Sequence, residues 1–599
     1  MNKLKSFFIL LIFCLACFPM GARANCNPGC YEVIGEGICM PCPNGTYSED
    51  GQPCTPCSAG QTGNIPVGAT YCLGYKTLRG SNGKSFIFRA EKNVIPSLNA
   101  KFSNGVTYYG NLSSIFTSDF KFNDGERVYS LVEPAERPAD TCGTPQQAEF
   151  HITLAGIPAG GDFSFQISAR GNFEIDWGDN SAPQTVTRAV ITLDKYSKTY
   201  SAGGNYTVKL SGRATGYNSG VNIAAVAFNN SDNRDKIVAI AGDLGGIFPI
   251  IRTPAAGTVG TPRFYNTFMN CTGITGTIPG GIFRGLFGTP TSNMFFGTFQ
   301  GCTGITGVGS GLFGGIVGGP ANGVYRQTFS GCTSLNSVPA DLFSGLQGKP
   351  EPYIFLQTFL ICSNLGISIP PNFFGGLYGP PSPGMFQETF SGCKNITGGI
   401  PPGLFGNIIG APQAGMFQDT FFNCEKLTGT LPPGLFSHIG GVPAGNMYYR
   451  TFMGCKGLSG SIPSAFFGQL DGTPASAMFF RTFSGCVGLN GEIPGNLFGV
   501  INGAPVGNMF YGTFENCSGL QRIGDGLFDG LQNTATGVNM FAYTFFNCSS
   551  LRGPSATSDG QYLYEKFPAG TTGEVVGCYR GATGLDDWNT INTSFPNWR

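Results

Sequence analysis

Two hydrophobic patterns follow one another along the chain. Between about 147 and 235, apolar and polar residues alternate, as in Phe163, Phe165 and Ile167. Alternation with a period of two predicts β-strands that bury one face, and several such strands in succession indicate an all-β sandwich. Before this region, residues 73–132 contain three shorter stretches that also predict strands, at 84–89, 106–109 and 127–131, and the Pro- and charge-bearing residues 133–146 predict a linker.

From about residue 236 to 578 the pattern becomes a repeat of 30 or 31 residues. The motif Thr-Phe-x-x-Cys occurs ten times, from Thr267-Phe268 to Thr544-Phe545. A fixed period of this length predicts a solenoid of about 10–11 coils, in which each coil is too small to fold alone and stacks on its neighbours. The last 21 residues, 579–599, are then expected to form a C-terminal cap or tail.

One unit illustrates the elements expected in each coil. Met416, Phe417, Thr420, Phe421 and Cys424 recur at the spacing of one face of a short α-helix. A short extended segment and a second turn follow the cysteine, so the repeat predicts an α/β coil. The threonine of the Thr-Phe-x-x-Cys motif recurs in each repeat and is called here the Thr column. In such a helix its hydroxyl can donate to a carbonyl one turn back, so no ligand is needed to account for it.

The cysteines fall into two populations. The first is a ladder with steps of 30 or 31 residues, and its spacing predicts a row of small, buried, unpaired thiols because neighbouring helices lie too far apart for disulfides. The ladder is Cys271, Cys302, Cys332, Cys362, Cys393, Cys424, Cys455, Cys486, Cys517, Cys548 and Cys578.

The second population lies near the N-terminus, mostly in a segment spanning 25–72. It comprises Cys26, Cys30, Cys39, Cys42, Cys54, Cys57, Cys72 and Cys142. Two Cys-x-x-Cys pairs have the spacing of a zinc ribbon, which leaves zinc as an alternative. Export of the chain favours disulfides, because small extracellular modules with little core are usually stabilised in this way.

Residues 1–24 indicate such export. Lys3 and Lys5 precede an apolar stretch that ends in Ala22-Arg23-Ala24, the pattern of a cleaved secretory signal. No later stretch has the roughly 18 apolar residues of a membrane-spanning helix. We therefore expect a protein that is secreted or displayed at the cell surface, with a bacterial type of signal.

Composition narrows the classes of partner. Gly 93 and Pro 40 make up more than a fifth of the 599 residues, while 52 Phe require an extensive core. With 35 basic and 35 acidic residues the formal net charge is zero, so the sequence lacks the excess of basic residues that is typical of nucleic-acid-binding proteins. Partners are expected to be bound by shape, apolar contact and neutral hydrogen bonds.

Three segments resemble known families. Asp176-Trp177-Gly178-Asp179 with Thr199-Tyr200 resembles the polycystic-kidney-disease-type immunoglobulin-like domain, although Lys198 stands where His is usual. Cys42 to Ser48 and Cys54-Thr55-Pro56-Cys57 resemble the cysteine-rich modules of ephrin-receptor type. The repeat resembles the leucine-rich repeat of BspA-type surface proteins, with Asn508-Met509, Phe514, Cys517, Leu520 and Phe528 at the matching positions.

The resemblances imply a multidomain protein. A disulfide-rich module would be followed by an immunoglobulin-like β-sandwich and a leucine-rich-repeat-like α/β solenoid, with a role in surface attachment or recognition. Asp176 and Asp179 of the sandwich are candidates for Ca²⁺, but two acids in a tight turn more often accept hydrogen bonds from backbone amides.

Sequence motifs argue against catalysis. His151 and His438 are the only histidines, and neither has a neighbouring nucleophile in the sequence. No phosphate loop, nucleophile elbow or zinc-protease motif is present, so neither a cofactor nor a metal site is expected. The sequence therefore predicts a non-enzymatic adhesion or recognition protein with an unidentified extracellular protein or glycan ligand. A self-associating coat or spacer protein and an exported glycan hydrolase are the alternatives.

Overall fold

The structure is a computed structural model that describes residues 148–374, 376–533, 537–567 and 575–599. Before them it describes the backbone of seven short strands. These are β1 (Cys30–Val33), β2 (Ile38–Pro41), β3 (Thr77–Gly80), β4 (Ser85–Arg89), β5 (Asn99–Lys101), β6 (Lys121–Asn123) and β7 (Val128–Val132). The signal segment 1–24, the 133–146 linker, the 106–109 strand and the side chains of the eight N-terminal cysteines lie outside the described residues.

Antiparallel pairing organises the seven N-terminal strands into two sheets. Strands β1 and β2 form a hairpin, and the other five form a sheet in the order β5-β4-β3-β7-β6. Strands β4 and β7 coincide with two of the segments predicted from the sequence. This sheet belongs to the region 73–132, for which no family resemblance was found.

Residues 148–242 form two antiparallel sheets. Their strands are β8 (Glu149–Ile157), β9 (Gly161–Ile167), β10 (Arg170–Asp176), β11 (Gln184–Arg188), β12 (Asp194–Tyr200), β13 (Gly204–Gly216), β14 (Val226–Ala227) and β15 (Ile237–Gly242). The first sheet has the order β11-β10-β13-β8-β15 and the second β12-β9-β14. The alternating segments of the sequence fall in β9, β10 and β13, so the strands predicted there are confirmed.

Aromatic side chains join the two sheets. The ring of Phe165 on β9 packs against Trp177, which follows β10, with ring centroids 5.8 Å apart. Phe228, just after β14, contacts Phe150 on β8 at 5.8 Å. Strand β15 pairs with β8 although it begins after residue 235, so the first sheet continues beyond the boundary expected from the sequence.

Residues 264–585, called here the repeat array, place each unit beside the next. In unit 415–445, Phe421 stacks on Phe390 of the preceding unit and on Phe452 of the following one, with centroids 5.8 and 5.7 Å apart. Phe417 makes equivalent stacks with Phe386 and Tyr448. Burial of one such ring stabilises the fold by about 1.5–3 kcal/mol, and the columns of rings form a continuous core.

Two bands of parallel backbone pairing also connect neighbouring units. The first strand band includes the Gly429–Leu458 bridge, and the second strand band includes the Gly410–Ile439 bridge. Most pairings are single bridges. The longer ones form β16 (Gly276–Ile278), β17 (Ile305–Val308), β18 (Gly440–Gly441), β19 (Gln469–Gly472), β20 (Gly491–Ile493), β21 (Val500–Ile501) and β22 (Leu520–Ile523). Strands account for 24% of the structure and helices for 5%.

The α-helix predicted within each unit is wrong. Residues 415–424 form a turn band, in which successive amides alternate between two acceptors. Thr420 N donates to Phe417 O three residues back (3.2 Å), whereas Phe421 N donates to Thr451 O of the next unit (2.9 Å). An α-helix would direct every amide to the carbonyl four residues back and none to a neighbouring unit.

Residues whose backbone lies in the left-handed region produce this alternation. Gly415, Asp419 and Asn423 have φ values of 60°, 55° and 56°, so every fourth residue of the band has a positive φ. Glycine and asparagine adopt this region with the least strain. The apolar spacing resembled that of a helix because both arrangements return to the core at about every fourth residue.

Elements at both ends cover the array. At the N-terminal end Phe228 N donates to Thr267 O (2.8 Å), and Gly245 N of α1 (Leu244–Ile247) donates to Ile282 O (3.0 Å). At the other end Tyr579 N donates to Trp598 O (2.7 Å). The C-terminal elements are β23 (Thr557–Ser558), β24 (Gln561–Tyr562), α2 (Leu563–Lys566) and α3 (Trp588–Ser594), with short 3-10 turns at Arg234–Lys236 and Pro596–Trp598.

Candidate recognition face

All eleven cysteines of the expected ladder are buried and unpaired in the structure. In the units from Cys302 to Cys548, the thiol donates to the carbonyl of a phenylalanine in the preceding unit, as Cys424 Sγ does to Phe390 O (3.2 Å). Burial raises the pKa of these thiols, for example that of Cys455 to about 12. Buried protonated thiols are poor nucleophiles, so the ladder contributes to packing.

Cys578 does not continue the ladder, although its spacing of 30 residues fits. Phe545 N donates to Cys578 O (2.8 Å), whereas in other units the equivalent acceptor is a threonine, such as Thr544 for Phe514. Tyr579 stacks on Phe545 at 5.4 Å, and Ala582 takes the position of the ladder cysteine. The final unit is longer than the others, so equal spacing in sequence does not correspond to an equal position in space.

The Thr column connects units as well as turns. Thr420 Oγ1 lies 2.9 Å from Phe417 O, the local carbonyl expected from the sequence, and 3.0 Å from Phe386 O of the preceding unit. The side chain is fully buried, so its hydroxyl needs an acceptor in the core. Thr420 therefore has a structural role.

Asp176 and Asp179 of the sandwich turn have protein partners. Asp176 Oδ1 accepts the Gly178 amide at 2.9 Å. Asp179 forms an ion pair with Lys198 at 2.6 Å and accepts the Ser181 hydroxyl, and these bonds lower its pKa to about 2. The geometry favours backbone capping over Ca²⁺ binding, and Lys198, at the position where His is usual in the resembling family, is the partner of Asp179.

Among the described residues, neither histidine belongs to a cluster of potential metal ligands. His151 contacts Glu149 at 2.8 Å, and His438 is exposed in a loop of the array. Where side chains are described, no group of three or more His, Cys, Asp or Glu residues could hold a metal ion. The same part of the chain contains no helix long and apolar enough to cross a membrane.

Half-exposed aromatic side chains line the outer side of the turn band. Tyr449, Phe480 and Tyr511 occupy equivalent positions in three consecutive units and stack with centroids 4.5 and 4.8 Å apart. Each follows a buried ring directly in sequence, as Tyr449 follows Tyr448. In each pair of consecutive aromatic residues the first ring is buried in the core, so the second ring lies at the surface.

Two arginines complete this cluster. The Arg450 guanidinium lies 4.7 Å from the ring centroid of Phe422 and 5.0 Å from that of Tyr449. Arg481 lies over Tyr511 at 5.2 Å. Such contacts hold the guanidinium in place by about 0.5–1 kcal/mol at exposed sites. Phe422, Tyr449, Arg450, Phe480, Arg481 and Tyr511 are called here the C-terminal cluster.

Both arginines of the C-terminal cluster have carboxylate partners. Arg450 Nε and Nη2 donate to the two oxygens of Asp419 at 2.8 and 3.1 Å, and Arg481 Nε lies 2.8 Å from Glu515. Burial raises the pKa of Asp419 although Arg450 acts in the opposite direction. The guanidinium groups are thus fixed by rings on one side and by carboxylates on another.

A second set of the same residue types lies near the N-terminal end of the array. Tyr265 stacks on Phe296 at 4.7 Å, and the Arg326 guanidinium lies 5.1 Å from the Phe296 ring and 5.9 Å from that of Tyr353. These four residues are called the N-terminal cluster. Between the two clusters the equivalent positions hold Gln387 and Gln418.

Neither cluster was identified from the sequence, although the aromatic doublets Phe295-Phe296, Tyr448-Tyr449, Phe479-Phe480 and Phe510-Tyr511 were a usable signal. No protein-family model matches the chain, and no curated protein or solved structure matches it either. The function is therefore argued from the geometry of this face.

Proposed function

We propose that the protein is an exported, non-enzymatic recognition protein that binds an extracellular protein through the outer side of the turn band. In this proposal, a disulfide-rich module and a polycystic-kidney-disease-type sandwich precede a leucine-rich-repeat-like solenoid of BspA type. The signal-like segment and the resemblances support export and surface display. The repeat stacking and its parallel pairing support a solenoid, with turns in place of helices.

The C-terminal cluster is the observation on which the proposed function rests. Tyrosine and arginine are the residues most enriched at the energetic centres of protein interfaces. Here they are half-exposed and held in place by ring stacking and ion pairs, that of Arg450 with Asp419 being bidentate, so little side-chain freedom remains to be lost on binding. Since Asp419 and Glu515 neutralise both arginines, affinity should depend weakly on salt.

Ring orientation favours a protein ligand over a glycan. An aromatic platform that binds a sugar presents a free ring face. Both faces of Phe480 are covered, by Tyr449 at 4.5 Å and by Tyr511 at 4.8 Å. Phe480 therefore presents only its ring edge, which together with the neighbouring guanidinium groups suits the mixed apolar and polar surface of a protein.

End-to-end self-assembly, one form of the coat alternative, is disfavoured by the covered ends. An uncovered terminal unit would expose unpaired amides and carbonyls that could pair with a second copy. Phe228 and the C-terminal segment around Trp598 instead occupy these groups. Terminal units of this kind are typical of repeat proteins that remain separate in solution.

Binding of the purified full chain to immobilised collagen, fibronectin and laminin, and to a panel of neutral glycans, tests the proposal. We expect binding to a protein that falls at least tenfold in the variant Tyr449→Ser/Phe480→Ser/Tyr511→Ser. The matched control Thr430→Ala/Ser461→Ala alters exposed residues of the first strand band and should retain it.

Three results would contradict the proposal. One is glycan binding that persists in the triple serine variant. Another is concentration-dependent assembly in sedimentation experiments without binding to any protein, which would favour a coat protein. Release of sugars from polysaccharides would instead favour a hydrolase.

A further inference from the structure

Arg326 of the N-terminal cluster differs from the two arginines of the C-terminal cluster. Its guanidinium lies between the rings of Phe296 and Tyr353, with carbon-to-centroid distances of 5.1 and 5.9 Å. No carboxylate of the described residues forms an ion pair with it, and this distinguishes it from Arg481, whose buried Nε, like that of Arg326, has no hydrogen-bond acceptor. Arg450 and Arg481, on the same side of the array, are both paired with acids.

An arginine held in this way retains unused donors. A guanidinium has five N–H groups in a fixed plane, and a carboxylate is its best-matched acceptor. One ring belongs to the preceding unit and the other to the following unit, so Arg326 has an aromatic neighbour on each side along the array. The Nη1 and Nη2 groups have no partner in the described part of the chain, and they are not among its buried unpaired atoms.

Tyr353 indicates that this site is maintained at a cost to the fold. It has a φ of 59° and is 38% exposed. The equivalent residues of neighbouring units are Asn293, Gly323 and Gly384, which suit a left-handed backbone. A bulky residue at positive φ is strained, as Ile361 and Tyr543 of other units are, so the contact with Arg326 is what distinguishes Tyr353. The strained backbone places the Tyr353 ring over Arg326.

We propose that Arg326 binds the carboxylate of an acidic side chain on the partner protein, end-on through Nη1 and Nη2. Phe296 and Tyr353 hold the guanidinium and line the sides of the site. A protein carboxylate is favoured over a uronic acid because Phe296 has Tyr265 on one face and Arg326 on the other, so this central ring has no free face to stack on a sugar. This inference rests on the proposed function and specifies the chemistry of the partner.

Titration of the full chain with fluorescent hexaglutamate, hexaglutamine and hexagalacturonate, followed by anisotropy up to millimolar concentration, tests the site. Hexaglutamate should bind at least tenfold more tightly than hexaglutamine. Arg326→Gln should weaken hexaglutamate binding by about 10- to 100-fold, the usual effect of losing a charge-assisted hydrogen-bonded pair. Arg522→Gln, which removes an exposed arginine of β22 that lies outside both clusters, is the matched control and should change the affinity less than twofold.

Tyr353→Gly separates binding from folding. It relieves the left-handed strain, so the thermal midpoint should not fall, yet hexaglutamate should bind more weakly because one ring over Arg326 is lost.

Equal binding of the two peptides, or equal losses for Arg326→Gln and Arg522→Gln, would overturn the proposal. Preferential binding of hexagalacturonate would overturn the protein partner in favour of an acidic glycan. The triple serine variant in the C-terminal cluster leaves Arg326 intact, so failure at one cluster is distinguishable from failure at the other.

Discussion

The hydroxyl of Tyr448 provides a sharp test of the stacked core. Its ring lies between those of Phe417 and Phe479, with both centroid distances 5.8 Å, and its side chain is fully buried. The Oη atom has no hydrogen-bond partner. A buried hydroxyl without a partner costs about 1–3 kcal/mol, and neighbouring units have phenylalanine at this position. Tyr448→Phe should therefore stabilise the array by about this amount.

Amide hydrogen exchange, detected by mass spectrometry, measures the change in local opening free energy around Tyr448. It does not require the assumption that the long chain unfolds in two states. Exchange of residues 447–455 should slow by about 5- to 150-fold. Tyr217→Phe is the matched control, because the Tyr217 hydroxyl is equally buried but donates to Pro249 O at 2.6 Å. Its loss should cost about 1 kcal/mol and accelerate exchange near β13. Unchanged or faster exchange in Tyr448→Phe would refute the reasoning.

Three further predictions concern strain, the Thr column and titratable groups. Ile361 has a φ of 58° and is 53% exposed. Ile361→Gly should raise the thermal midpoint, because relief of about 1–2 kcal/mol of backbone strain exceeds the cost of the greater flexibility of glycine in the unfolded chain. The control Ile361→Val keeps the strain and should not raise the midpoint. Thr420→Val should lower the local free energy of unfolding, measured by hydrogen exchange, by about 1 kcal/mol. The same substitution at the exposed Thr428 should lower it by less than about 0.5 kcal/mol. The lowered pKa of Asp179, about 2 against an ordinary 3.8, implies that its stabilising contribution is complete above about pH 5 and is lost progressively as the pH falls towards 2. Lys198→Met should therefore raise the pH at which the sandwich unfolds in acid, measured by exchange in β10 and β13, and an unchanged acid midpoint would contradict the ion pair.

Period and residue type determined much of the architecture from the sequence alone. The alternation of Phe163, Phe165 and Ile167 predicted strand β9, and the Thr-Phe-x-x-Cys repeat predicted columns of like residues. These inferences hold because burial selects the same residue type at every position that faces the core, whatever the local backbone.

Backbone conformation within the repeat was decided only by tertiary structure. The spacing of Phe417, Phe421 and Cys424 suits one face of a helix, but it suits equally a turn band whose amides alternate between local and neighbouring acceptors. The choice depends on hydrogen bonds to residues about 30 positions away, which a local pattern does not specify. Glycine and asparagine at every fourth position in some units, such as Gly415 and Asn423, were a partial signal, which Ile361 and Arg450 at equivalent left-handed positions obscured.

The place of a residue within the stacked units likewise depends on the tertiary structure and not only on its spacing in the sequence. Cys578 follows Cys548 at the expected interval, yet it aligns with the Thr column because the last unit is longer. The aromatic doublets place one ring in the core and one outside, and only the stacking of units brings Tyr449, Phe480 and Tyr511 together. Sequence determined which side chains must be buried; the stacked units decided which of the remaining ones lie side by side at the surface, because neighbours there come from separate repeats.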